Sequence, residues 1–112
     1  MPKEIPLPQS PEELLERLFT IFPQYRERYN GPIHDDEPTF HSVLIGFGWF
    51  PLATCSEAEL RDFGTLASAA VEHGGALGNA FETCVLEHLH QRRAERALRP
   101  FLSRTARERT KA

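Results

Sequence analysis

Cysteine and long apolar runs are scarce in this sequence of 112 residues. Its two cysteines, Cys55 and Cys84, do not provide a disulfide framework, and Cys84 falls on a predicted apolar helix face, so we expect a reduced, packed thiol there. No apolar run approaches the roughly 18–20 residues that span a bilayer. The opening residues MPKEIPLPQSPEE lack the apolar region of a signal peptide. We therefore predict a soluble, cytoplasmic protein without membrane contacts.

Sequence signatures of enzymes and metal sites are also lacking. The HExxH, CxxC, GxSxG, P-loop and GxGxxG patterns do not occur. Glu87 and His90 form a single Glu-x-x-His pattern, whereas di-iron bundles need two such motifs and two further glutamates. His88 and His90 would lie roughly 200° apart around a helix and so could not bind one ion together. We predict that the protein is not an enzyme and has no catalytic residues, no metal and no cofactor.

Basic residues are few in the first four fifths of the chain. Residues 1–91 hold five Lys or Arg against fourteen Asp or Glu, a charge of −9, whereas residues 92–112 hold eight against two, a charge of +6. An acidic body repels nucleic acid and attracts a cationic protein. Solvated helix faces that serve solubility are the alternative explanation. We expect no nucleic-acid partner, because only the basic tail favours one.

The most informative stretch, residues 56–89, predicts two helices that fold back on each other. Ser56 and Glu59 have the spacing of a capping box, which would start the first helix. Gly74 and Gly75 would end it and turn the chain, since glycine tolerates positive φ. Apolar residues at helical spacing follow on both sides of the turn.

The flanking segments complete a predicted all-α fold: a compact single-domain bundle of four to five helices with this central hairpin. Residues 1–9 are expected to be a flexible Pro-rich lead-in, residues 10–103 the helical domain and residues 104–112 a frayed basic C-terminal tail. Ser10 and Pro11 start the first helix, and Pro23 ends or kinks it. Residues 39–50 are predicted to be a central buried helix, with a strand over residues 42–50 as the competing interpretation.

Three blocks of sequence resemble a family of small bacterial helical proteins associated with immunity proteins of polymorphic or contact-dependent toxin systems. The blocks are FPQYRERY at residues 22–29, the aromatic end of the middle helix at Phe47 to Phe50, and GALGNAF at residues 75–81 running into LEHL at residues 86–89. The resemblance covers residues 14–102, and the chain departs from it where Gly75-Ala76 replaces a Gly-Asp pair. It implies that Asn79 and Glu87 are internal polar anchors.

On this resemblance we expect a protein that binds and blocks a cognate toxin, a basic protein such as a nuclease, by mimicking its anionic substrate. The predicted contact residues are mostly acidic: Asp35, Asp36, Glu37, Glu57, Glu59, Asp62, Glu72 and the aromatic Trp49. The competing hypothesis is a homo-oligomeric scaffold or regulatory adaptor that uses Trp49, Phe50 and Leu52 as an apolar contact. The chain is accordingly expected to be a monomer or a homodimer.

Overall fold

The computed structural model describes residues 7–29, 39–47, 52–88 and 95–110, and in these ranges the chain is helical and contains no strand. Seven α-helices are described: α1 Pro11–Ile21, α2 Pro23–Arg28, α3 Phe40–Phe47, α4 Glu57–His73, α5 Gly75–Cys84, α6 Glu95–Leu98 and α7 Arg104–Glu108. Short 3-10 turns lie at Leu52–Thr54, Leu86–His88 and Arg99–Phe101. The predicted all-α domain is confirmed. Its helices outnumber the expected four to five because the chain is divided into shorter pieces.

Helix α1 begins and ends where the sequence predicts, and α2 follows it directly. The Ser10 hydroxyl accepts a hydrogen bond from the Glu13 N–H at 3.2 Å, and Pro11 is the first helical residue. Pro23 starts α2 directly after Phe22, whose N–H still donates to the Leu18 carbonyl of α1 at 2.8 Å. Proline has no N–H to continue the α1 ladder, so the chain changes direction at this point.

The α4–α5 hairpin is confirmed. Ser56 and Glu59 form both hydrogen bonds of a capping box, at 3.2 and 2.8 Å. Gly74 and Gly75 take φ values of 80° and 75°, which glycine adopts without steric cost. A Cβ atom on Gly78 would collide with the Ala70 carbonyl oxygen, so this glycine allows α5 to pack directly on the backbone of α4.

Residues 42–47 belong to helix α3, so the strand alternative is wrong for these residues. Residues 48–50 lie outside the described part of the chain. Leu44 and Phe47 are buried against α1 and α5, whereas Ile45 is 57% exposed. The central helix of the fold is α4 rather than α3, since α4 contacts α1, α5, α6 and α7.

Aromatic side chains connect the first five helices. Phe22 at the α1–α2 junction lies with its ring centroid 5.2 Å from that of Phe47 on α3. Phe47 is 5.0 Å from Phe63 on α4, and Phe63 is 5.9 Å from Phe81 on α5. All four side chains are buried, so each of these elements contributes a large apolar group to one core.

The C-terminal segment, residues 95–110, is ordered against α4, and the expectation of a frayed tail is wrong for residues 104–110. The Ser103 hydroxyl caps α7 by accepting from the Ala106 N–H at 3.2 Å, and the Ser103 N–H donates to Ser68 Oγ on α4 at 2.8 Å. Ala106 is fully buried. Gly64 of α4 lies so close to Phe101 that an added Cβ would come within 2.7 Å of its Cβ atom. The basic composition of this segment did not indicate the Ser103 cap or the buried Ala106.

Candidate functional site

The acidic residues predicted on α4 differ in their availability to a partner. Glu57 is exposed, but its carboxylate forms an ion pair with Arg61 at 3.0 Å. Glu59 is half-buried and completes the capping box. Both carboxylates therefore stabilise the start of the helix, close to its positive end.

Asp62 and Glu72 are the α4 carboxylates that remain available. Both are exposed, and neither forms an ion pair with a residue whose side chain the structure describes. They are ten positions apart, which at 1.5 Å per residue separates them by about 15 Å along the helix. At about 100° per residue they also lie about 80° apart around the helix axis. The solvent-facing side of α4 that carries both is here named the Asp62–Glu72 face.

Several predicted contact residues cannot be placed on this face. Asp35, Asp36, Glu37 and Trp49 lie outside the described residues. Leu52, expected to contribute to an exposed apolar contact in the adaptor hypothesis, is only 8% exposed and packs in the core. The prediction that Leu52 belongs to an exposed apolar contact is therefore wrong, because this residue of the 3-10 turn Leu52–Thr54 is buried in the core.

Asn79 and Glu87 do not form the expected pair of internal anchors on one helix. Asn79 is exposed, since Leu77, Ala80 and Phe81 occupy the core side of α5. Helix α5 ends at Cys84, so the half-buried Glu87 belongs to the following 3-10 turn and not to the same helical face. The predicted internal position of Asn79 is therefore wrong.

An unpredicted polar cluster joins α3 to α5. Cys84 Sγ lies 3.4 Å from His41 Nδ1, and Asn79 Nδ2 lies 3.4 Å from His41 Nε2. The thiol also lies 3.8 Å from the His41 carbonyl oxygen, to which it can donate. The partners are 38 and 43 residues apart in the chain, so no local sequence pattern signals their contact.

The chemistry of this cluster favours structure over nucleophilic catalysis. Burial of Cys84, and secondarily the nearby Glu87 carboxylate, raises the pKa of the thiol above 9.0. The reactive form of cysteine is the thiolate, which this setting disfavours. Cys84 is a free, buried cysteine, as predicted, and with His41 it provides a polar contact between two helices. Burial likewise raises the pKa of Cys55 to about 11.

Residues 7–29, 39–47, 52–88 and 95–110 contain no metal-binding cluster and no membrane-spanning helix. No group of three or more His, Cys, Asp or Glu side chains that could hold a metal ion occurs there. His90, the second member of the Glu-x-x-His pattern, lies outside these ranges. None of the described helices combines the length and the apolar character needed to cross a bilayer.

Comparison of the chain with protein-family models, with curated proteins and with solved structures finds no match. The resemblance to toxin-immunity proteins therefore rests on the sequence blocks quoted above.

Proposed function

We propose that this chain is a cytoplasmic immunity- or antitoxin-like protein that binds and neutralises a cognate bacterial toxin through an acidic surface, and has no catalytic activity of its own. The main support is the Asp62–Glu72 face, which carries two exposed carboxylates without ion pairs to any side chain that the structure describes. The sequence blocks that resemble immunity proteins support the same proposal.

The rigidity of α4 suits this role. Its N-terminus is held by the capping box, and Phe63, Leu66 and Ala67 are buried on its core side. Carboxylates on a fixed helix are already positioned before the partner arrives, so binding orders fewer groups. Complementary charge across the interface speeds association and fixes the orientation of the two proteins.

The expected partner is a basic protein whose own substrate is anionic, such as a nuclease. In this proposal the carboxylates occupy the positions of substrate phosphates and so block access to the toxin's active site. Asp35, Asp36, Glu37 and Trp49, which lie outside the described residues, are the other proposed contacts with the toxin.

A pull-down with the product of the neighbouring gene, followed by a growth-rescue assay, tests the proposal. The wild-type protein should bind and restore growth, whereas Asp62→Lys/Glu72→Lys should lose binding without a change in melting temperature. The matched control is Glu16→Lys/Glu27→Lys, which makes the same change in net charge at exposed positions of α1 and α2. Equal affinities of the two double variants would refute the assigned surface, and failure of the wild type to bind or rescue would refute the immunity role with this partner.

One observation favours the alternative, a homo-oligomeric scaffold or adaptor. Ile45 is 57% exposed and lies on α3, the helix that precedes Trp49 and Phe50. Burial of this side chain against a second copy would remove apolar area from water. Light scattering decides between the two: a dimer that Ile45→Asp converts to a monomer supports the adaptor, and a wild-type monomer contradicts it.

A further inference from the structure

An open pocket of about 490 Å³ lies in the C-terminal segment, and three arginines line it. Arg96 comes from α6, Arg99 and Pro100 from the 3-10 turn, and Arg107 from α7. Each of the three arginines is exposed, so a ligand in solution can reach the guanidinium groups. The sequence predicts Arg107 in a frayed basic tail and Arg96 and Arg99 in the helical domain, and no pattern in it indicates that the three meet around one cavity.

Buried side chains between the arginines hold the pocket in place. Leu98 and Ala106 are fully buried, and Leu102 is 5% exposed. The Ser103 N–H donates to Ser68 Oγ and so fixes the backbone between the turn and α7 to α4. Each of the three short elements is thus anchored to the domain, and the pocket is a property of the fold rather than of a loose chain end.

The arginines of the segment fall into two groups. Arg104 forms an ion pair with Glu108 at 3.3 Å, and Arg109 forms one with Glu82 at 3.4 Å. Neither of these arginines lines the pocket. Arg96 and Arg107 do line it, and they form no ion pair with any residue whose side chain the structure describes. The third, Arg99, donates from Nη1 to Thr110 Oγ1 at 3.4 Å.

We propose that this pocket binds a small phosphorylated molecule, with a pyrophosphate or triphosphate group held by Arg96, Arg99 and Arg107. The planar guanidinium group matches phosphate geometry and can donate two parallel hydrogen bonds to it. Three such groups around one cavity suit a ligand with several negative charges. The volume of the pocket lies within the usual range of about 300–1,000 Å³ for small-molecule sites.

Charge elsewhere on the chain favours a compact ligand over a nucleic acid. Residues 1–91 carry a charge of −9, so a long polyanion that leaves the pocket would meet repulsion from the rest of the protein. A small molecule can satisfy the arginines without extending over the acidic region. The pocket contains none of the residues of this chain that are proposed to contact the toxin. The two proposals can therefore be tested independently of each other.

Isothermal titration calorimetry with inorganic pyrophosphate and with ATP, in buffer free of divalent cations, tests the site. We expect saturable binding of both probes with a dissociation constant below about 1 mM, weakened by added salt. Arg96→Gln/Arg107→Gln should reduce affinity at least about tenfold, because charge-assisted hydrogen bonds are lost. Arg104→Gln/Arg109→Gln makes the same change in net charge outside the pocket and should reduce affinity less than about threefold.

A further variant separates specific recognition from general attraction. Arg96→Lys/Arg107→Lys keeps the charge but loses the planar fork, and it should still bind several-fold more weakly than the wild type. Circular dichroism checks that each variant keeps its helical content. Four results would each overturn the proposal. They are absence of binding by the wild type, equal losses of affinity in the two Gln variants, full affinity in the Lys variant, and tighter binding of a short RNA or a phosphopeptide than of ATP.

Discussion

Helix α4 packs against α1 and α5 and also against the C-terminal segment, and the two contact surfaces differ in kind. Towards α1, α3 and α5 the contacts are made by large rings, with Phe63 at the centre of Phe22, Phe47 and Phe81. Towards the C-terminal segment the contacts involve small groups, notably Gly64 against Phe101 and Ser68 against Ser103. The first surface consists of large buried rings, whereas the second combines the buried side chains of Leu98, Leu102 and Ala106 with a close approach and one hydrogen bond.

The C-terminal segment thus lacks a ring cluster of its own, and its attachment to α4 depends more strongly on single contacts, those of Gly64 and Ser68. Loss of one aromatic side chain should weaken the whole domain, because the ring cluster connects several helices. Loss of the close approach at Gly64 should release the C-terminal segment while the rest of the domain stays folded. The predictions below test this contrast.

The largest effect is expected from Phe63→Ala. Phe63 is fully buried among three other rings, so its truncation leaves a cavity and should lower the free energy of unfolding by about 3–5 kcal/mol. Urea denaturation followed by circular dichroism measures this loss. Ile45→Ala is the control and should change stability by less than about 0.5 kcal/mol at its exposed position. A small effect of Phe63→Ala would contradict the importance given to the ring cluster.

A pair of identical substitutions tests the second surface. Gly64→Ala places a Cβ 2.7 Å from Phe101 Cβ and should cost about 1–3 kcal/mol through overpacking. Gly46→Ala, in α3, meets nothing within 4 Å and should instead stabilise by about 0.5–1 kcal/mol. Hydrogen exchange should increase in residues 95–110 of the Gly64 variant and leave α1 and α5 protected. Uniformly faster exchange over the whole chain would show that the two surfaces are not separable.

A smaller effect is expected from Ser68→Ala. This buried hydroxyl accepts the Ser103 N–H at 2.8 Å, and its removal leaves that donor without its partner. The expected cost is about 1–2 kcal/mol, again with faster exchange confined to residues 95–110. Thr83→Ala, which removes an exposed hydroxyl from α5, serves as the control. Equal exchange in both variants would mean that the Ser68 bond does not fasten the segment.

Alkaline pH should act on the aromatic side of the molecule. Burial raises the pKa of Tyr25 from 10.0 to about 12 and that of Cys55 from 9.0 to about 11. At pH values between the unfolded and the folded pKa of each group, the folded chain binds more protons than the unfolded chain. Stability should therefore fall as the pH rises from about 9 to about 12.

The expected pH effect can be assigned by substitution. Tyr25→Phe removes one ionisable group from the ring cluster and should make the loss of stability above pH 10.0 less steep. Chemical denaturation at a series of pH values measures the slope. An unchanged slope in this variant would show that Tyr25 ionisation does not contribute.

Features set by neighbouring residues were predictable from the sequence. The Ser10 cap, the break at Pro23, the Ser56–Glu59 capping box and the turn at Gly74 each depend on residues within a few positions of one another. The apolar spacing of α4 and α5 likewise predicted the residues that face the core.

Features set by contacts between distant segments were not predictable. The His41–Cys84 contact, the approach of Gly64 to Phe101 and the anchoring of Ser103 on Ser68 each join residues more than 30 positions apart. The same holds for charge: composition counts Arg109 and Glu82 as surface charge, whereas the two form an ion pair with each other. Composition measured the charge of each region but not the fraction available to a partner.

The positive φ angles of the two glycines at the hairpin turn are a backbone conformation that L-residues rarely adopt. The backbone angles of Gly74 are φ 80° and ψ −158°, and reflection in a mirror changes them to −80° and 158°, an extended conformation that L-residues favour. A D-alanine would therefore suit these backbone angles. An L side chain at this position would have space, since no neighbouring atom lies within 4 Å of its Cβ, but its backbone conformation would be strained. The hairpin is one point in the chain where chirality, rather than side-chain size, limits the choice of residue.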